Sequence, residues 1–258
     1  MNEDSKKWIY WAIPVVVVVG LGVALYYGRK HKQPVVEPTA QTAPAPASAE
    51  PPIKHPIGDE ADASKPLPAL SDSDPAVNDS LSGLFGRSLE PFLVPQNVIR
   101  HVVVTIDNLP RKKTAVQMWP LKPTPGEVVA NGSEELTLSA DNYARYAPLV
   151  KIVQGADAAQ LAAMYKRFYP LFQEAYVDLG YPDGYFNDRL VEVIDHLLAT
   201  PDVRGPIELT QPGVFYQFAD ASLEERSAGQ KLLLRMGSEN AAVIKAKLRQ
   251  LREAVAKQ

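Results

Sequence analysis

The stretch DAAQLAAMYKRFYPLFQEAYVDLG, residues 157–180, decides the fold class of this chain. Its apolar side chains recur every three or four residues, the spacing that places them on one face of an α-helix. Asp157 can cap the helix, Gly180 can end it and Pro170 can bend it. We expect a core helix whose buried face consists of Leu161, Met164, Tyr165, Phe168, Phe172, Ala175, Tyr176 and Leu179.

Similar apolar spacing predicts further helices on both sides of this segment. One runs from near Pro95 to Leu109, where periodicity outweighs the β-branched composition. Another begins at a Ser139 cap and ends at Gly155, with Pro148 either kinking it or opening a second helix. A third covers Tyr185 to Ala199. Two more close the chain, the first from a Ser222/Glu225 capping box to Gly237 and the second from a Ser238 cap.

Two short segments carry hairpin signals instead of helical spacing. Asn131-Gly132 and Pro212-Gly213 are turn pairs, and each lies between short apolar runs. The fold class predicted for residues 71–258 is therefore mainly α, a single compact helical domain with one or two small β-hairpins.

The first 32 residues read as a membrane anchor. Trp8 to Tyr27 carry no charge, and twenty helical residues span about 30 Å, the thickness of a bilayer core. Aromatic residues and lysines or arginines flank both ends. A cleaved signal peptide is the alternative, but the segment after the apolar run lacks the small residues of a cleavage site. We expect a single-pass inner-membrane protein whose domain is periplasmic, with a cytoplasmic domain as the alternative.

Residues 33–70 form a predicted tether. Nine prolines lie in this segment, together with alanine and small polar residues. Such a composition buries too little apolar surface to offset its ordering entropy, so we expect a disordered linker. A passive spacer is the simpler interpretation, and a proline-rich recognition motif is the alternative.

Composition excludes several function classes for the folded part. Residues 75–258 are nearly neutral, which argues against nucleic acid as a partner because phosphate is bound by clustered lysine and arginine. The chain has no cysteine, so disulfides, thiolate metal sites and cysteine nucleophiles are excluded. No phosphate-binding glycine loop is present, and we expect no cofactor.

The acidic stretch DLGYPDGYFNDRLVEVIDHL, residues 178–197, resembles a hydrolase or metal site at first sight. Helical spacing instead places Asp188, Arg189, Glu192, Asp195 and His196 on the polar side of one helix, which a solvated face explains. Glu192 and His196 are four residues apart, but spacing identifies no further metal ligand, and we assign no metal site. Two carboxylates could still meet in space as an acid/base pair, which the sequence does not reveal.

Tyrosine is concentrated in one part of the folded region. Seven of the eleven tyrosines lie between Tyr143 and Tyr185. Tyrosine and arginine often anchor binding surfaces, so Arg145, Tyr146, Tyr169 and Tyr185 are the candidate binding residues. Ordinary helix packing, with the hydroxyl at the surface, is the alternative explanation. No catalytic residue is assigned.

Several long segments resemble a bacterial family of unknown function, domain of unknown function 3014. The resemblance covers about Ser71 to Ala256 and rests on FLVPQNVIRHVVVTIDNLPR, MWPLKPTPGE, NYARYAPLV, YPLFQEAYVDLGYPDGYFNDRLVEVIDHLLATPDV, PGVFYQFAD and SAGQKLLLRMG. It implies a bacterial source and a soluble, anchored domain, and no activity. We expect a membrane-anchored envelope protein that binds or scaffolds a protein or cell-wall glycan partner. A hydrolase acting on envelope material is the alternative.

Overall fold

The computed structural model describes residues 52–57 and 66–256, within a unit that spans Glu50–Gln258. The predicted anchor at residues 8–27 lies outside the described residues, as does most of the predicted tether. In the described ranges, no helix is both long enough and apolar enough to cross a membrane.

The described residues form a mainly helical domain with one small sheet. Short 3-10 turns at Leu70–Asp72, Gly86–Ser88 and Val116–Met118 separate some of the elements. The helices are α1 (Asp74–Phe85), α2 (Val98–Asn108), α3 (Asp141–Gly155), α4 (Ala158–Asp178), α5 (Phe186–Leu198), α6 (Ala221–Glu224), α7 (Ala228–Arg235) and α8 (Ser238–Ala256).

Helix α4 confirms the prediction for residues 157–180. The Asp157 carboxylate accepts hydrogen bonds from the N–H groups of Ala159 and Gln160, which satisfies two free donors of the first turn. Gly180, with φ of 110°, follows the last turn in a conformation that disfavours other residues. The predicted apolar face is buried or half-buried except at Leu179, which is exposed.

Helices α2 and α3 also match their predictions, with local differences. The Asp74 carboxylate, at the start of α1, accepts from the N–H groups of Asn97 and Val98 and so caps α2. Helix α3 is one continuous helix through Pro148. Its capping residue is Ala140 instead of Ser139, although the Ser139 hydroxyl accepts from the Asp141 N–H at 3.3 Å.

Both predicted hairpins form, and they join into one antiparallel sheet. The strands are β1 (Ala130–Asn131), β2 (Leu136–Leu138), β3 (Glu208–Thr210) and β4 (Gln217–Phe218), in the order β1-β2-β3-β4. The two hairpins meet where Leu136 pairs with Leu209. This pairing links segments about seventy residues apart, and their apolar side chains form a core beneath the sheet with Leu234 of α7.

The predicted Ser222/Glu225 capping box is wrong. The chain turns twice in this region, because the Asp220 carboxylate caps the short α6 and the Ser227 hydroxyl caps α7. The last helix, α8, packs against α3, α4 and α5 and therefore holds the helices of the domain together. Its Lys245 is buried and donates to the Thr200 carbonyl and to Asp202, which fastens α8 to the loop after α5.

Helix α7 approaches the end of α2 very closely. The N–H groups of Ala228 and Gly229 donate to the carbonyls of Arg111 and Leu109, which satisfies donors at the start of α7. A Cβ at Gly229 would lie 2.7 Å from the Leu197 side chain and 3.1 Å from the Leu109 carbonyl. Only glycine fits at this contact without a shift of its neighbours.

Candidate binding sites

The concentrated tyrosines form an aromatic core between α4 and α5. Phe172 and Phe186 stack with ring centroids 5.8 Å apart, and Tyr165 and Tyr176 pack around them. Burial raises the pKa of the Tyr165 phenol well above its ordinary value. These rings stabilise the helix pair, which is the packing role left open as the alternative.

Tyr169 and Tyr185 contact each other, with ring centroids 5.3 Å apart. Tyr169 is 8% exposed and its hydroxyl donates to Gln173, so this side chain belongs to the core and offers almost no surface to a partner. Burial, followed by the hydrogen bond with Tyr185, raises the pKa of Tyr169 far above its ordinary value. Tyr185 is half-buried and lines a groove on α5.

Arg145 organises a loop. Its guanidinium donates to the carbonyls of Pro125, Gly126 and Glu127 at 2.9, 2.7 and 2.6 Å. These bonds engage all three guanidinium nitrogens with the main chain of the loop, so Arg145 shapes the wall of a cleft beside the sheet. Nothing in the sequence indicates this role.

Tyr146 is half-buried against the interior cluster that contains Val193, Leu197 and Met236. The structure therefore brings Tyr169 and Tyr185 together, whereas Arg145 and Tyr146 lie in two other environments. A common partner-binding surface for the four residues stays a prediction, and their positions favour structural roles for Arg145, Tyr146 and Tyr169.

The groove on α5 is occupied by a segment of the chain itself. Residues 52–57, Pro-Ile-Lys-His-Pro-Ile, lie along α5, and Ile57 packs against the main core. The Asp188 carboxylate accepts from the N–H groups of His55 and Lys54 at 2.7 and 2.9 Å. These six residues fall within the predicted tether of residues 33–70 and contact the domain, while the tether as a whole stays a prediction. The physical reason is that Ile57 packs against the main core and three main-chain N–H groups, those of Lys54, His55 and Ile57, find acceptors on the domain.

The polar side of α5 is only partly solvated. Glu192 and Asp195 are exposed as expected. Arg189, in contrast, donates to the buried Asp107 at 3.1 Å and to its main-chain carbonyl at 3.0 Å. The solvated-face prediction therefore holds for two of the five polar residues, and Asp188, Arg189 and His196 bind other segments of the domain.

Asp107 is the centre of a buried polar network. Arg111 donates to its carboxylate at 2.5 Å and the Tyr181 hydroxyl donates at 3.2 Å, in addition to the bonds from Arg189. The Asp107 carboxylate raises the pKa of Arg111, mainly through their charge attraction. Two arginines compensate the negative charge of the buried Asp107 carboxylate. Their bonds to it also link the end of α2 to α5. The sequence pattern placed Asp107 among ordinary polar residues of α2.

Ser227 and His196 form the arrangement that most resembles an enzyme site. The His196 Nε2 lies 2.8 Å from the Ser227 hydroxyl, and burial lowers the pKa of His196, which favours the neutral ring. The Ser227 hydroxyl also accepts from the Gln230 N–H and is 6% exposed. Neither residue lines any of the three described cavities. The geometry therefore fits a helix cap oriented by His196, because a nucleophile must be reachable by its substrate.

Metal-ligating side chains do not cluster in the described part of the chain. Across residues 52–57 and 66–256, no three histidine, aspartate or glutamate side chains lie close enough to hold a metal ion. Glu192 is engaged by Arg189 at 3.1 Å and His196 by Ser227, so the two members of the considered pair have separate partners.

A second concave surface lies beside the sheet. This sheet cleft has a volume of about 650 Å³ and is lined by Leu138, Leu209 and Phe218 together with Arg145 and Arg235. The Arg235 guanidinium lies 5.5 Å from the centre of the Phe218 ring, a cation–π contact. The sheet cleft thus has an apolar floor and a cationic rim.

The turn between β3 and β4 lies next to the sheet cleft and carries two large apolar side chains. Val214 and Phe215, the hairpin tip, are 83% and 81% exposed and line the same cleft. The pair Pro212-Gly213 predicted the turn, but not the exposure of the two residues after it. Two large apolar residues directly after a turn pair were the available signal, because turns usually carry polar residues.

Comparison with known proteins identifies a family. The family model described as Protein of unknown function (DUF3014) matches residues 98–252, more than half of the chain. The match begins at the first residue of α2 and ends within α8, so it contains the aromatic core, the sheet and the sheet cleft, whereas residues 52–57 in the groove on α5 lie outside it. No curated protein and no solved structure matches the chain. The chain therefore belongs to the family of proteins of unknown function DUF3014.

Proposed function

We propose that this chain is a single-pass protein of the bacterial inner membrane whose periplasmic domain binds a protein partner. The binding surface is the hairpin tip together with the sheet cleft. The observation that carries the proposal is the exposure of Val214 and Phe215, 83% and 81%, beside a cleft with an apolar floor.

Exposed side chains of this size favour a partner that covers them. Full burial of one valine or phenylalanine side chain is worth about 1.5–3 kcal/mol. The two residues are adjacent at the end of a hairpin, which presents them together to a partner. The sheet cleft behind them lies in the volume range of about 300–1,000 Å³ that accommodates a ligand. The hairpin tip therefore offers two apolar side chains that a partner can bury, and the sheet cleft can hold a side chain of that partner.

A protein segment fits this surface better than a glycan or a bilayer. Leu138, Leu209 and Phe218 line the cleft, and such a floor suits aliphatic or aromatic side chains. Glu127, Tyr216 and Gln217 also line the cleft and offer polar groups to a sugar, so the preference for a protein rests on the exposed apolar side chains of the hairpin tip. A bilayer could take up the hairpin tip but would make no use of a cleft. Arg145 and Arg235 at the rim favour a partner segment that also carries an acidic group.

The predicted anchor supports weak binding. A domain held at the membrane by Trp8 to Tyr27 shares a thin layer with membrane-bound partners, which raises their effective concentration. We expect the full-length chain to remain in the membrane fraction after high-salt washing, and a reporter active only outside the cytoplasm to function at its C-terminus. Release by salt would contradict the anchor, and a silent reporter on a well-expressed fusion would contradict the topology.

Site-specific photo-crosslinking tests the binding surface directly. A benzophenone-bearing amino acid replaces Phe215 in the full-length chain, expressed in cells that make the protein naturally. The control position is Val177 on α4, which is 40% exposed and apolar. We expect one discrete protein adduct from position 215 and none from position 177. Adducts with lipid or glycan only, equal adducts at both positions, or no adduct would contradict the proposal.

A further inference from the structure

The groove on α5 is a second concave surface, and no residue lines both it and the sheet cleft. We call residues 52–57 the clasp and the surface formed by Tyr185, Asn187 and Asp188 the α5 groove. With the clasp in place, a cavity of about 600 Å³ remains beside it, and residues of both the clasp and α5 line this cavity.

The α5 groove holds the clasp through its main chain. Asp188 accepts from the N–H groups of Lys54 and His55, and the Tyr185 hydroxyl accepts from the Ile57 N–H at 2.7 Å. The Asn187 side chain donates to the His55 carbonyl at 2.8 Å. Residue 56 is proline and has no N–H to satisfy. The chain bends at Lys54 and His55, so their consecutive N–H groups point at one carboxylate. Main-chain bonds of this kind recognise a bent peptide with little demand on most of its side chains.

The groove residues are fixed by contacts that do not involve the clasp. Asn187 is 0% exposed, accepts from the Tyr165 hydroxyl at 3.1 Å and donates to the Val255 carbonyl at 3.0 Å. The Tyr185 ring packs against Tyr169 of the aromatic core. A site whose donors and acceptors are oriented in advance loses little entropy when a peptide binds.

We infer that the α5 groove is a recognition site for a short bent peptide, and that the clasp is its resident ligand, bound within the same chain and able to leave.

Peptide binding to an emptied groove tests the inference. In the full-length purified chain, residues 52–57 are replaced by Gly-Ser-Gly-Ser-Gly-Ser, and a fluorescent peptide of residues 51–58 is titrated while its anisotropy is measured. We expect saturable binding to this unclasped chain and at least tenfold weaker binding to the unaltered chain. The difference arises because a ligand tethered in the same chain has an effective concentration near the millimolar range.

Matched variants separate main-chain recognition from general attraction. Asp188→Ala in the unclasped chain removes the acceptor of two N–H groups, and we expect at least a tenfold loss of affinity. Asp183→Ala is the control, because Asp183 lines the groove without a described hydrogen bond to the clasp. A peptide methylated at the main-chain nitrogen of His55 keeps every side chain but loses this N–H donor, and it should bind at least tenfold more weakly. Absence of binding to a folded unclasped chain, or equal effects of the two aspartate variants, would overturn the inference.

Hydrogen exchange of the unaltered chain gives an independent result if the unclasped chain does not fold. The amides of Lys54, His55 and Ile57 should exchange more slowly than in a free peptide, and Asp188→Ala should accelerate exchange at Lys54 and His55. Exchange at the rate of a free peptide in the unaltered chain would overturn the inference. None of these measurements involves a partner or a membrane, so their failure is distinct from a failure of the proposed function.

Discussion

Two regions of this domain are rich in apolar and aromatic side chains, and they use them in opposite ways. Between α4 and α5 the aromatic rings pack against one another, and Phe168 and Phe186 are 1% and 0% exposed. At the hairpin tip, Val214 and Phe215 point into solvent. A high density of tyrosine and phenylalanine in a sequence therefore marks a core as readily as a surface. Exposure of large apolar side chains is the more useful sign of a binding site.

Truncation of one phenylalanine in each region gives the largest expected contrast. Phe168→Ala leaves a cavity in the core and should lower the free energy of unfolding by about 3–5 kcal/mol. Phe215→Ala removes a side chain that contacts mainly solvent, so the change should stay within about 0.5 kcal/mol. Denaturant midpoints of the two variants check this. Similar losses would show that the tip is packed in solution and that the two regions do not differ as described.

Two glycines offer a second contrast of intermediate size. Gly229→Ala introduces a Cβ against Leu197 and the Leu109 carbonyl, and overpacking of this kind costs about 1–3 kcal/mol. Gly83, inside α1, has no atom within 4 Å of an added Cβ, so Gly83→Ala should stabilise by about 0.5–1 kcal/mol through helix propensity. Thermal midpoints should move in opposite directions. A stabilising Gly229→Ala would show that α7 does not contact the end of α2 as closely as described.

His196 predicts a smaller, pH-dependent effect. Burial first, and then the charges of Arg189 and Arg226, lower its pKa below the ordinary 6.5, against an opposing contribution from Glu192. The unfolded chain then binds more protons than the folded chain in this range, so stability falls as pH drops below about 6.5 through the folded pKa. His196→Gln should reduce this loss between pH 7 and pH 5. Identical pH profiles of the variant and the unaltered chain would contradict the assignment.

Glu192 provides the smallest expected effect. Its side chain is 68% exposed, although its ion-pair partner Arg189 is only 19% exposed. Exposed pairs contribute little, so Glu192→Ala should change the free energy of unfolding by no more than about 0.5 kcal/mol. Chemical denaturation checks this, and a loss above about 2 kcal/mol would mean that Glu192 supports the buried Asp107 network.

Local patterns in the sequence were sufficient for five of the helices and for both hairpin turns, but α1 was not predicted. Spacing of apolar residues predicted α2 to α5 and α8, and the pairs Asn131-Gly132 and Pro212-Gly213 predicted both hairpins. These features depend on residues a few positions apart. The break between α6 and α7 was missed because Asp220 and Ser227 compete with Ser222 as caps, and single-sequence patterns do not rank such alternatives.

Contacts between distant segments could not be read from the sequence. The pairing of Leu136 with Leu209 and the binding of His55 to Asp188 each join segments separated by dozens of residues. The prediction of the binding residues was the least accurate. Arg145 was chosen for its residue type, whereas its contacts with main-chain carbonyls depend on the loop at residues 124–127. The sequence did not predict the exposure of Val214 and Phe215, because two apolar residues after a turn are equally typical of the buried end of a strand.

Partner capture by the full-length chain decides whether the hairpin tip is the binding surface. The protein crosslinked at position 215 is captured from solubilised membranes by the unaltered chain, by the double variant Val214→Ser/Phe215→Ser and by Tyr185→Phe. We predict at least a tenfold loss of capture for the double variant with an unchanged unfolding midpoint, and full capture by Tyr185→Phe. Undiminished capture by the folded double variant, or an equal loss with Tyr185→Phe, would contradict the assignment of the hairpin tip as the binding surface.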